Sequence, residues 1–580
     1  MVYLIPIMLE SISVLTDILK HPYSILTILV WTTYWYTLRC GFVSDDHQGL
    51  GEYDGKFQGW EYGMVSRWIR YHIIGGGNFP SRFRAPNGQI VPLGKTATRH
   101  HLFNIVLFNL CVLLGYNVFS DLFDPRVAFI AFALFAVSPI GTQCIAWISG
   151  IGYPLSLLWI FLILKFVSLV EVNLFSLLVF IILDVLAINA LFVALALPAI
   201  LFLLGYQEFA FLSSIISIVM GLRIVRHTIN IRAAEFKKQD MGSLTQFKPR
   251  RFIIAVKTIL YYLELFVWPN RLGLYHEWGN QPNVDLERAD RRYWLGLTAT
   301  IGLVAIALFT HSSEVKFGII WFFAFIFIFL NWITIQQFVT ERYLWIPSIG
   351  FYLIMAYCLQ DHEIFLYLIG GIYLCRTWLH LPTYDDELRF YLSNTWNFQN
   401  AETALANLGC TWIRIGATGS ALDAWHASAK ANPDYDVPLA NIFFHYRSAA
   451  MFDVEHGQYE SAIEKLKASY KYIEGCTKCT VQHFKDDWNK ELNNVKTWIN
   501  NPVTLILGEK KRLLQLKETL SKRLSDPNEK DAEGVKVSLS HIEPRLAHIE
   551  SLLKNVPPNQ IPQDSSIEPI QLTLPGQEKK

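Results

Sequence analysis

The chain has 580 residues, of which 52% are hydrophobic and only 17% charged, with a mean hydropathy of +0.27. Soluble domains carry about 25% charged residues, so a wholly soluble chain is excluded. A formal net charge of +1 says nothing about nucleic acid, and no basic stripe suggests it, so no nucleic-acid partner is expected.

The apolar excess is concentrated in residues 102–381, and residues 382–580 read as ordinary soluble sequence. Leu4–Leu19 is interrupted by Pro6, Glu10 and Asp17 and reads as an amphipathic helix on a membrane surface, not as a removable leader. A membrane-crossing helix needs about 20 mostly apolar residues. Runs of that kind start near residues 25, 102, 127, 151, 174, 191, 253, 294, 316, 344 and 363, about eleven in all. Phe209–Leu222 is apolar but short and reads as interfacial or re-entrant. Arg223–Arg251 carries eight Lys and Arg, which places it in the cytoplasm by the positive-inside rule. Counting outward puts the N-terminus in the cytoplasm. It puts Asp45–Arg99, Pro269–Arg292, Gln336–Arg342 and the C-terminal part outside it. Asp45–Arg99 carries seven Lys and Arg itself, and its length is near the limit of the rule.

The soluble part begins with a linker helix over 382–400. Residues 401–434 and 437–470 then repeat small and aromatic residues at helical spacing around Gly416 and Gly457. A period of about 34 is that of a tetratricopeptide repeat, whose stacked helix pairs bind peptides or partner proteins. The expected fold class is therefore all-α. A polytopic helical membrane domain spans 1–381, with a large first outer loop over 43–101. A short repeat domain spans 401–554, and a Pro-, Gln- and Ser-rich disordered tail follows over 555–580. Of eight cysteines, Cys476 and Cys479 form a lone CxxC near His483. That supplies three of the four ligands a zinc site needs, and a short disulfide is the other reading.

Chemistry concentrates at the ends of the apolar runs. Asp45 and Asp46 follow the first run in SDDHQGLGEYDG. A carboxylate at a bilayer rim can act as general base on a hydroxyl. With Glu52 and Asp54 beside it, the segment also offers oxygen ligands for a divalent metal ion. A solvated acidic turn is the plainer alternative. Phe57–Ile74 interleaves Trp60, Tyr62, Trp68 and Tyr71 with Arg67 and Arg70, as a helix in the headgroup layer does. Arg82, Arg84, Lys95, Arg99, His100 and His101 precede the second run and suit a lipid phosphate or generic anionic headgroups. Glu341, Arg342 and Tyr343 sit together at another boundary, as a phosphate-binding group or as snorkelling side chains. His276 follows a Trp-Pro break; a lone histidine there is a base, a ligand or, more often, neither.

In order along the chain stand SDDHQG; HHLFNIVLFNL with FALFAVSPIGTQCIAWISG; LFVWPNRLGLYHEW; and TERYLWIPSIGFYLIMA with DDELRFYLSNTWNFQNAETALANLG. Together they resemble the membrane-embedded C-type (GT-C) glycosyltransferases, most closely the transmembrane and tetratricopeptide-repeat O-mannosyltransferases and their bacterial relatives. The resemblance implies a helical core that takes a polyprenyl-phosphate sugar from among the membrane lipids. It implies transfer of that sugar to an extracytoplasmic protein acceptor. Asp45 or Asp46 would be the base. Arg342 and Tyr343 match the family's ERYL motif and His101 the histidine before its second span; with the residue reading above, Arg82, Arg84, Lys95, Arg99, His101, Glu341, Arg342 and Tyr343 are the residues expected at the lipid phosphate, and Glu52 and Asp54 those expected at a metal ion. The repeats would hold the acceptor or partner subunits, and the short repeat region points to a bacterial inner membrane over the endoplasmic reticulum. The family's polar motif between the third and fourth spans departs here. It reads Ser138-Pro139, Gly141-Thr142-Gln143 and Trp147–Ile151, without the two histidines, the glutamate and the arginine. This departure supports a second expectation, a catalytically silent scaffold subunit whose repeats bind partners.

Overall fold

A computed structural model describes residues 21–46, 64–74, 94–236, 250–274, 276, 288–330, 339–397, 401–433, 435–473, 485–525, 531–562 and 570. Among the described residues every regular element is a helix. The chain divides into two compact units, Met1–Gly416 and Ala417–Lys580. The division falls inside the first expected repeat, not ahead of residue 401.

The first unit contains α1 (Pro22–Tyr34), α2 (Gly94–Leu122), α3 (Pro125–Val137), α4 (Gly152–Leu169), α5 (Leu174–Ala190), α6 (Leu197–Leu203), α7 (Gln207–Phe236) and α8 (Arg250–Val267). It continues with α9 (Arg291–Phe309), α10 (Ser313–Ile326), α11 (Glu341–Leu359), α12 (Glu363–His380), α13 (Glu387–Asn397) and α14 (Glu402–Arg414). Local chemistry sets several starts. Asp124 caps α3 by accepting from the Arg126 and Val127 N–H groups, with Pro125 at the first position. Asn173 and Ser176 form a reciprocal capping box on α5.

Among the described residues six helices are long and apolar enough to cross a membrane: Ala97–Leu122, Ile148–Leu169, Gln207–Arg226, Arg291–Phe309, Glu341–Leu359 and Glu363–Tyr384. Pro125–Val137 and Pro139–Ala146, bent by 53° at Ser138, add a seventh if taken as one span. The other expected runs form shorter helices, such as the 13 residues of α1 and the 14 of α10, or, in α8, an amphipathic one. Large apolar side chains point outward on α7, α9 and α12, among them Phe211, Leu222, Ile301, Leu308, Ile364 and Tyr367. Such a belt suits hydrocarbon surroundings.

Phe209–Leu222, expected as a short interfacial piece, belongs to a helix of 30 residues. Its polar continuation from Arg223 hides that length from an apolar count. This helix alters the order of crossings. Take the end of the bundle that carries Asp45 as the upper end. Gly152 of α4 lies against the Ala190 carbonyl, so α5 rises to the upper end. Phe180 and Asp184 of α5 then meet Phe209 and Ser213 of α7 in the same direction. α7 therefore rises too, and Gly221 reaches Leu195 just before α6. Arg223 and Arg226 emerge at Asp45's own end. The charge count that set Arg223–Arg251 opposite the Asp45 loop loses its basis, because both basic segments leave from the upper end.

Rings fill the centre of this unit. Phe119 packs edge-on against Phe132 and Trp321, Phe161 stacks on Trp321, and Phe135 stacks on Trp345. α10 and α11 run antiparallel with no side chain between them at one level. A Cβ on Gly318 would stand 2.5 Å from the Gly350 carbonyl oxygen, while the Trp321 Nε1–H donates to the Ile346 carbonyl at 2.9 Å.

The second unit holds α15 (Thr418–Ala431), α16 (Val437–Glu455), α17 (Tyr459–Ile473), α18 (Lys485–Asn500), α19 (Pro502–Leu524) and α20 (Ala532–Lys554). Gly416 and Gly457 occupy turns between helices with φ of +83° and +73°, a backbone region that favours glycine. The turns match the expectation but the period does not. The helix before Gly416 has 13 residues and the one before Gly457 has 19. Phe443, Val454, Leu466, Val495 and Leu505 centre one core cluster, and Leu513, Val535 and Ile549 a second. Beside them Glu509, with a fully buried side chain, accepts from Arg512 and from Arg545 at 2.6 Å.

Candidate functional site

The upper end of the first unit gathers four of the sequence motifs. The chain leaves α1 through the short helical turn Trp35–Arg39 and makes a tight turn at Ser44, whose φ is +54°. That turn sets the two adjacent acids apart. Asp46 is fully buried: its Oδ2 accepts from the Val43 N–H at 3.0 Å and its Oδ1 from the Ser149 N–H at 2.6 Å. Burial pushes its carboxyl up to about 6, against the pull of Ser149, Val43 and the Arg70 guanidinium. Asp46 therefore ties the SDDHQG segment to WISG. Asp45 is exposed and lies within Coulombic reach of Arg342.

Arg342 sits at the start of α11, where its guanidinium lies 5.2 Å from the ring centres of both Trp147 and Tyr343. Its backbone N–H donates to Gln143 Oε1 at 3.1 Å, and the Thr340 hydroxyl donates to the same oxygen at 2.7 Å. Gln143 thus fixes the entry of α11. Glu341 turns away from Arg342 because neighbours on a helix diverge by about 100°. Its Oε1 accepts from the Gly273 N–H at 2.5 Å and pairs with His276 Nε2 at 3.0 Å. His276 Nδ1 lies 2.7 Å from the Tyr261 hydroxyl. This chain of groups, with the Leu274 N–H donating to Asn394 Oδ1 at 2.6 Å, anchors the LGLYHEW segment.

His101, expected near a phosphate, instead places Nε2 3.3 Å from the Gly41 carbonyl and supports the loop. His100 packs edge-on to Phe42. Arg70, expected in the headgroup layer, is buried and donates to the Ile148 carbonyl. Arg99 is exposed in the first turns of α2. Lys95 lies in the same turns, with its side chain outside the described residues. Arg82, Arg84, Glu52, Asp54, Tyr275, Glu277, Trp278, Cys476 and Cys479 also lie outside them. Among the described residues no three His, Cys, Asp or Glu side chains converge as metal ligands. The oxygens of Asp46 each accept from a backbone N–H group, and Glu52 and Asp54, the acids expected at a metal ion, lie outside the described residues.

Below the rim, α6, α9 and α10 border an apolar groove of about 900 Å³, lined by Pro198, Val304, Leu308, Ile320 and Phe323. Lys316, near the start of α10, marks its lower end, and Phe327 and Ile328 its upper. A ladder of rings links that upper end to the rim. Phe192 and Phe329 stand 5.4 Å apart, and Phe329 stacks on Tyr343 at 4.3 Å with an interplanar angle of 8°.

Comparison with family models, curated proteins and solved structures gave no match. Function is therefore argued from the site itself.

Proposed function

We propose that the protein is a membrane glycosyltransferase that moves a sugar from a polyprenyl-phosphate carrier to a hydroxyl-bearing protein acceptor at the upper end of the bundle. What supports this reading is an exposed Asp45 carboxylate within Coulombic reach of the Arg342 guanidinium, which stands with Tyr343 at the head of an apolar groove. The groove receives the upper part of the lipid chain, and Arg342, backed by Trp147 and Tyr343, receives the lipid phosphate. Without substrate, Asp45 and Arg342 neutralise one another. A bound phosphate takes over Arg342 and frees Asp45. Asp45 then removes the acceptor proton as the acceptor oxygen attacks the anomeric carbon. The bond from that carbon to the phosphate oxygen breaks, and the lipid phosphate leaves with the electron pair against Arg342. Asp46 acts as a positioning residue, because it fixes the turn that presents Asp45. No step passes through a metal ion.

A second reading, a silent scaffold, draws on the internal use of polar groups. Gln143 and Asp46 both serve backbone N–H donors. The two readings separate in proteoliposomes given labelled polyprenyl-phosphate sugars and candidate acceptors. The enzyme reading expects transfer by wild type and a loss of about 100-fold or more in Asp45→Asn, with unchanged thermal unfolding. An equal rate in Asp45→Asn overturns the assigned base. Absence of transfer from every donor, with a partner that co-purifies stoichiometrically, overturns the enzyme.

A further inference from the structure

The groove between α6, α9 and α10 has a single charged residue in its lining, Lys316, and every other lining residue is apolar. Lys316 shares one face of α10 with Ile320 and Phe323, which line the groove above it, because residues three and four apart are neighbours on a helix. Side chains on a helix lean toward its N-terminus. Lys316 therefore reaches downward, with its apolar stem along the groove and its ammonium at the lower membrane surface. Two other cations at that end are already paired: Arg126 with Glu363 at 2.9 Å and Lys165 with Asp121 at 2.5 Å. Lys316 is exposed and forms no ion pair among the described residues. Glu314, the nearest acid along the chain, instead accepts from the Ser312 and Ser313 hydroxyls at 2.9 and 3.1 Å. From Lys316 to Ile326 α10 rises about 15 Å, half of a hydrocarbon core of about 30 Å. The groove thus has the depth of one leaflet, with an unpaired cation at the level of that leaflet's phosphates.

We infer that the lower end of the groove is a binding site for one phospholipid of the lower leaflet with a net negative headgroup. Its phosphate pairs with Lys316, and one acyl chain runs up between α6, α9 and α10. The depth selects an acyl chain that starts at the lower surface. The charge selects the headgroup: Lys316 offers a cation, and no acid lines the groove to hold the ammonium of a zwitterionic lipid. The site is separate from Arg342 at the upper end, and the inference does not rest on the glycosyltransferase reading. On that reading a donor chain entering from above meets this acyl chain in the groove, so the two lipids compete.

The test uses the full chain in detergent with phosphatidylglycerol and phosphatidylcholine of identical acyl chains, read by native mass spectrometry. Wild type is expected to retain one phospholipid, with phosphatidylglycerol favoured about 5-fold, the preference that one basic side chain near an anionic membrane surface supplies. Lys316→Gln should bring the two lipids to parity. Ala199→Trp, at an exposed position in the groove wall, should fill the groove and lose both. A phosphatidylglycerol with a photoreactive acyl chain should cross-link to wild type within 195–199, 304–308 and 319–328, the three stretches that wall the groove. Equal retention of the two lipids by wild type overturns the proposal, as does an unchanged preference in Lys316→Gln. Full retention by Ala199→Trp, or cross-links spread evenly over the outward faces of α7 and α12, overturns the groove as the site. Recovery of a fatty acid or a polyprenyl phosphate from the purified chain in place of a phospholipid overturns the occupant. The cross-link map needs no variant, so it decides the site even where Ala199→Trp fails to fold.

Discussion

Asp46→Asn removes one acceptor at a buried turn and one ionisable group in the same step. In the wild type the carboxylate receives the Val43 N–H at 3.0 Å and the Ser149 N–H at 2.6 Å. Asparagine keeps one oxygen and turns its NH2 against the other donor. A buried donor left without an acceptor costs about 1–3 kcal/mol. The charge adds a pH dependence. Burial raises Asp46 from 3.8 to about 6. A carboxyl raised on folding holds its proton more tightly in the folded state. Its contribution to stability is therefore full below its unfolded value and is lost as the pH rises through about 6. A rise of about two pH units corresponds to about 3 kcal/mol. The wild type should lose up to that amount through this group between about pH 4 and pH 7, and the variant none. Asp46→Asn is thus most damaging in acid, and its deficit narrows toward neutrality. Thermal unfolding in detergent, followed by tryptophan fluorescence from about pH 4.5 to 7.5, reads the difference. Parallel stability curves for the two proteins, or a deficit that widens with pH, refute the reasoning.

Two further substitutions test the packing. Gly350→Ala drives a methyl into the Gly318 carbonyl and should lower stability by about 1–3 kcal/mol. Gly370→Ala, whose Cβ meets nothing within 4 Å, should be neutral or gain up to about 1 kcal/mol; equal effects in thermal unfolding refute the close crossing. Glu509→Gln leaves Arg512 and Arg545 facing a neutral amide. It should cost the second unit about 2–4 kcal/mol, less than a fully stranded charge because those side chains are 18% and 30% exposed and can turn to water. A change below about 0.5 kcal/mol in chemical denaturation refutes the role of the triad.

The sequence made the helical class legible because apolar runs and caps such as Asn173 act within one helix turn. It also made Gly416 and Gly457 legible as turns, since a left-handed backbone has few other tenants. The convergence of SDDHQG, WISG and ERYL at one end was suggested by their order along the chain. Side-chain direction was not. Asp45 and Asp46 have the same chemistry and adjacent positions, and only the turn at Ser44 assigns one to solvent and the other to Ser149. Glu341 and Arg342 are separated in the same way by helical rotation. The roles of Gln143, Trp147 and Asn394 depend on partners more than a hundred residues away. The direction of α7 failed for a simpler reason: a helix continues wherever its backbone bonds continue, including past Arg223.

The bare crossing of Gly318 and Gly350 has a mechanical consequence. Two helices that touch backbone to backbone cannot slide by exchanging side-chain rotamers, so α10 and α11 form one plank. One edge of that plank lines the groove and the other carries Arg342. Any widening of the groove must therefore come from α6 and α9 on the facing side. On the proposed glycosyltransferase reading, the depth from groove wall to guanidinium would then act as a fixed gauge that presents a headgroup at one height.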